Sequence, residues 1–105
     1  MAVFNGVAYL AGQVANDLSQ DISGQMREVL SMIDNLLAQA NSDKSRILMA
    51  QIYLADLADY AGMNVVWDAW VAEIKGHAPP RATVQAKLAN PNYKVEVVIT
   101  VAQNV

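Results

Sequence analysis

The sequence predicts an α+β fold with elements in the order β-β-α-β-α-β-β and both helices on one face of a mixed sheet. Three observations predict it. An Asn-Gly pair joins two short apolar runs at the start, two stretches carry apolar residues at helical spacing, and two later runs are apolar on both faces. The 105 residues suffice for one domain, residues 1–105, around one core. No repeat, linker or low-complexity tract divides them.

In "MAVFNGVAYLAGQV" the dipeptide Asn5-Gly6 suits a two-residue type I′ turn, so a hairpin opens the fold. Asp21 reads as the N-cap of a helix through "DISGQMREVLSMIDNLLAQAN". Ile22, Met26, Val29, Ile33, Leu36, Leu37 and Ala40 recur there at helical spacing, and Asn41 is expected to stop it. "RILMAQIYLAD" is apolar on both faces apart from Gln51, the pattern of a central strand. Asp56 and Asp59 predict a capping box, with Asp in place of Glu, at the head of a second helix. Tyr60, Met63, Trp67, Trp70 and Ile74 form its apolar stripe, and Gly76 is expected to end it. "RATVQAKL" and "YKVEVVITVAQ" read as two strands around the turn "ANPN". The sheet face away from the helices stays apolar in the third and last strands, which predicts burial against copies of the chain.

Composition points the same way. Charged residues are 16% of the chain and AVILMFWYC residues 54%, more apolar side chain than so small a domain can hide alone. The net charge of −3, with seven scattered basic residues, disfavours nucleic acid as a partner. The absence of cysteine excludes disulfides, thiolate metal sites and Cys nucleophiles, and a single histidine excludes a His-rich metal site within one chain. No cofactor is called for. The first residues lack the pattern of a signal peptide and no apolar run approaches a membrane span, so the cytoplasm is the expected location.

Two residues stand out for chemistry. Arg81 follows Pro79 and Pro80, which stiffen its backbone, and no other Arg or Lys falls between Lys75 and Lys87. It is either a surface arginine at a strand start or a fork for a carboxylate or phosphate. In a straight strand Arg81, Thr83 and Gln85 share one face. Glu96 interrupts "KVEVVITVA", sharing a face with Val98, Thr100 and Ala102. It is either a solvated edge residue or a carboxylate placed to handle protons. Asn64 and Asp68, four apart on the second helix, read as an ordinary polar face. His77 reads as a loop histidine, and Gly12 as a place where another group approaches the backbone closely.

"PPRATVQAKL", then "VEVVITVA" fourteen residues after the arginine, with "YLAGQV" and "MNVVWDAW" upstream, resembles the RidA/YjgF family of reactive-intermediate deaminases, also called L-PSP endoribonucleases. The resemblance covers nearly the whole chain. It implies a chorismate-mutase-like fold and a homotrimer whose sheets form a central barrel, with sites in clefts between subunits. The implied reaction is hydrolysis of 2-imino acids to 2-keto acids and ammonia. By position, Arg81 matches the arginine that grips the substrate carboxylate, and Glu96 the acid that positions or activates water. Gly12 matches a backbone contact in the pocket, Thr83 a position facing the ligand, and Asn64 a residue near the cleft. Thr83 stands where the deaminase branch has cysteine and Ala11 where it has serine. That branch also draws a pocket tyrosine from before the first strand, and no residue of this sequence matches it. These departures leave a non-catalytic, metabolite-binding trimer as the alternative, with an endoribonuclease behind it.

Overall fold

The computed structural model describes residues 1–76 and 78–105; His77 and its reading as a loop histidine lie outside the described residues. The elements are β1 (Ala2–Phe4), β2 (Val7–Tyr9), α1 (Ile22–Gln39), β3 (Ile47–Leu54), α2 (Tyr60–Val71), β4 (Arg81–Gln85) and β5 (Val95–Ala102), with short 3-10 turns at Lys44–Arg46 and Leu57–Asp59. The five strands form one mixed sheet in the order β1-β2-β5-β3-β4. Only β3 and β4 run parallel, joined by the α2 crossover; the remaining pairs are antiparallel. This is the expected α+β architecture.

Local chemistry explains how the chain enters and leaves its elements. Asn5 and Gly6 sit at φ 51° and 77°, the two positive values a type I′ turn requires. Asp21 caps α1 by accepting a hydrogen bond from Gly24 N at 2.9 Å. At the other end Asn41 turns left-handed at φ 57°. Ser42 N then reaches Leu37 O at 2.9 Å and Asn41 N reaches Ala38 O at 3.1 Å, the paired bonds of a Schellman motif. Replacing Asp21 with Ala should cost about 1 kcal/mol. A thermal-unfolding midpoint that does not fall would contradict this account of the cap.

The second helix starts differently from the sequence expectation. Asp56 accepts from Ala58 N at 2.9 Å and so caps the 3-10 turn, while Asp59 makes no side-chain cap bond. The chain takes one tight turn before α2, which shifts the helix start past the expected box. The helix also stops at Val71, so Ile74 and Gly76 lie beyond it. Both C-terminal strands are shorter than their apolar runs: β4 stops at Gln85, and β5 begins at Val95 and stops at Ala102.

Alternation then assigns the two faces of the sheet. Val95, Val97, Ile99 and Val101 of β5, with Ala50, Ile52 and Leu54 of β3, are fully buried beneath the helices. Met26, Val29, Ile33 and Leu37 of α1 and Met63, Trp67 and Trp70 of α2 cover them in one continuous core. Buried Gln25 pins the 90s loop to α1: its side chain accepts from Lys94 N at 3.0 Å and donates to Asn92 O at 3.2 Å. The opposite face carries Phe4, Tyr9, Met49 and Val84, which remain 40–71% exposed. These apolar side chains lie on the face that the helices leave uncovered. Among the described residues no helix is long and apolar enough to cross a membrane.

Candidate functional site

Arg81 opens β4, and the preceding prolines place it. Pro79 is buried, and the Pro80 carbonyl accepts from Ala50 N at 2.9 Å, so the arginine enters the sheet from an anchored backbone. It pairs with Ala50, which directs its side chain to the helix-covered face. There it meets α2. Nη1 donates to Asn64 Oδ1 at 2.7 Å and Nη2 donates to Tyr60 Oη at 2.9 Å. A guanidinium has no acceptor, so the amide oxygen of Asn64 must face it. The Asn64 amide nitrogen donates in turn to Asp68 Oδ2 at 3.3 Å. Cζ of Arg81 lies 5.4 Å from the Trp67 ring centroid and 5.7 Å from that of Tyr60, within cation–π range of both.

These contacts use two of the five guanidinium hydrogens. One remains on each terminal nitrogen and one on Nε, enough for a planar anion. Thr83 lies two residues further along the same face, and its buried Oγ1 has no hydrogen-bond partner among the described residues. Strand β4 is an edge strand. Pro80 O and Ala86 N bond β3, so alternation turns the backbone N–H groups of Arg81 and Thr83 away from the sheet. The edge thus combines a fixed cation, an unpaired hydroxyl and free amides.

Glu96 lies elsewhere. It pairs with Tyr53 on β3 and points to the uncovered face with Val98 and Thr100. Gly12 passes directly over it: a Cβ at position 12 would come within 2.3 Å of Glu96 Oε2. The close approach read from the glycine is therefore an approach by this carboxylate. The five candidate residues form two groups, Arg81 with Asn64 and Thr83 on one face, and Glu96 with Gly12 on the other. By strand geometry the two groups are roughly 10 Å apart along the strands and roughly 10 Å across them. One chain does not bring its own Arg81 and Glu96 together.

The structure changes two readings of α2. Asn64 is no ordinary polar-face residue, because it holds the arginine. Tyr60, read as part of the core stripe, is 41% exposed and spends its phenol on Arg81. Its signal was present in the sequence, since Tyr60 and Asn64 stand four apart and so share one helix face.

A small α+β protein with an arginine held in place on an edge strand and a separate carboxylate on an open sheet face is the class these features define. The family model described as "Endoribonuclease L-PSP" matches residues 1–103. The chain is 59% identical over 104 residues to a RutC family protein of Haemophilus ducreyi, covering 99% of this chain and 87% of that one. It is 47% identical over 102 residues to the RutC family protein YoaB of Escherichia coli K12, covering 97% and 87%. A crystal structure of NMB1025, a member of the YjgF protein family from Neisseria meningitidis, superposes with a TM-score of 0.90 at 46% identity, covering 96% of this chain and 82% of that one. The chain belongs to the RidA/YjgF family and has its chorismate-mutase-like fold.

Proposed function

We propose that the protein hydrolyses small 2-imino acids of the 2-iminopropanoate and 2-iminobutanoate type to 2-keto acids and ammonia. The observation that carries this reading is the Arg81 guanidinium, fixed by Asn64 and Tyr60 with three donors still free. Its supports are family membership and the neighbouring Thr83 edge. In the reaction Arg81 holds the substrate carboxylate by two parallel charge-assisted hydrogen bonds, and Thr83 offers its hydroxyl or backbone amide beside it. The imine carbon then lies beside a water held by Glu96.

Water adds to the carbon of the protonated imine as Glu96 takes one of its protons, which gives a neutral carbinolamine. The protonated Glu96 returns that proton to the amine, the C–N bond breaks to release ammonia, and Glu96 takes the hydroxyl proton as the 2-keto acid forms, then passes it to the ammonia. Imino acids already hydrolyse in water, so positioning and general acid–base help of ~10²–10⁴-fold suffice. Because Arg81 and Glu96 lie on opposite faces of one sheet, the acid in this scheme comes from a second copy, in a homotrimer with clefts between subunits. The uncovered apolar face provides its contact surface.

The same separation favours a second reading, in which the trimer binds a small carboxylate without turning it over. The ribonuclease activity in the family description fits poorly with a net charge of −3. A coupled assay tests the first reading: threonine dehydratase supplies the reactive intermediate and release of 2-ketobutyrate is followed. The wild type should accelerate release and Arg81→Ala should not. Equal acceleration by both would sink the assignment. No acceleration by either, with 2-ketobutyrate binding lost only in Arg81→Ala, selects the second reading.

A further inference from the structure

We infer that Tyr60 is a positioning residue of the carboxylate clamp, setting the plane and reach of the Arg81 guanidinium through its phenol oxygen. The inference rests on the proposed role of Arg81 and extends it to a residue outside the set read from the sequence.

An arginine side chain has several rotatable bonds, and a partner on one nitrogen alone leaves its plane free to swing. Asn64 takes Nη1 at 2.7 Å and Tyr60 takes Nη2 at 2.9 Å, so the group is held at two points. Both partners sit on α2, four residues apart on one helix face, and share a rigid element. The Tyr60 and Trp67 rings add attraction for the cation at 5.7 and 5.4 Å. Tyr60 is the first residue of α2, and the residue is 41% exposed rather than buried in the core. Its polar contact is with the arginine. Its phenol hydrogen is not needed for that contact, because the oxygen accepts.

The carboxylate does not change during imine hydrolysis. A residue that only orients its clamp therefore binds substrate and transition state equally, raising KM while leaving kcat alone. Tyr60→Phe keeps the ring and removes the acceptor. It should weaken 2-ketobutyrate binding by calorimetry on the order of tenfold, the loss typical of a hydrogen bond to a charged group, and raise KM in the coupled assay to match. The kcat value and the thermal midpoint should stay near wild type. In an Arg81→Lys background, where no guanidinium remains to be oriented, adding Tyr60→Phe should change binding less than about twofold.

Unchanged binding in Tyr60→Phe, alongside weakened binding in Arg81→Lys, overturns the inference and leaves the clamp standing. A tenfold loss that persists in the Arg81→Lys background also overturns it, since Tyr60 would then act without the arginine. If the wild type does not bind 2-ketobutyrate, or Arg81→Lys binds it as well as wild type, the clamp itself is overturned.

Discussion

Arg81→Ala and Glu96→Gln proteins, each inactive alone, are expected to regain activity when denatured together and refolded as mixed oligomers. The two side chains leave opposite faces of the sheet, Arg81 toward α2 and Glu96 toward the uncovered side. In the proposed reaction a working site takes its arginine from one subunit and its acid from the neighbour. Removing the clamp should lower kcat/KM, and removing the proton acceptor by the isosteric Gln should lower kcat, each by roughly 10²-fold or more. In random mixtures roughly a quarter of the interfaces pair an intact Arg81 with an intact Glu96, so about that fraction of wild-type activity should return. Mixed oligomers verified by mass that stay inactive would rule out a site shared in this way.

Val98→Lys should break up the proposed homotrimer. Val98 lies in the middle of β5, paired with Gln51, on the face that the helices leave uncovered. An ammonium there is tolerated by an isolated chain, where it meets water. In an apolar interface it costs several kcal/mol at every copy. Sedimentation velocity should show monomer, with helical circular dichroism retained and turnover lost. An oligomer of unchanged size would remove this face from the contact.

The elements that were legible in the sequence share a local signal. The Asn5-Gly6 turn, the Asp21 cap, the Asn41 stop and the alternation of β5 each depend on residues a few positions apart. The expected capping box failed because Asp56 had two local partners within reach, and the amide of Ala58 in a tight turn prevailed over the head of a longer helix. Arg81 was legible as a residue set apart, because prolines and composition isolate it. Its partners were not, since Tyr60 and Asn64 precede it by 21 and 17 residues and meet it only through tertiary packing. The separation of Arg81 from Glu96 was invisible for a related reason. Spacing fixes which face of its own strand a residue takes, and only the register with β3 relates one strand's faces to another's.

The two indoles of this chain each lie near a cation, Trp67 near Arg81 at 5.4 Å and Trp70 near Lys44 at 4.9 Å. Lys44 is already neutralised by Glu73 at 2.7 Å, whereas Arg81 has no carboxylate among its hydrogen-bond partners. The two rings lie 5.4 Å apart, so an anion arriving at Arg81 would act most strongly on Trp67 and more weakly on Trp70. Binding at Arg81 should therefore be readable as a shift in intrinsic emission without any label.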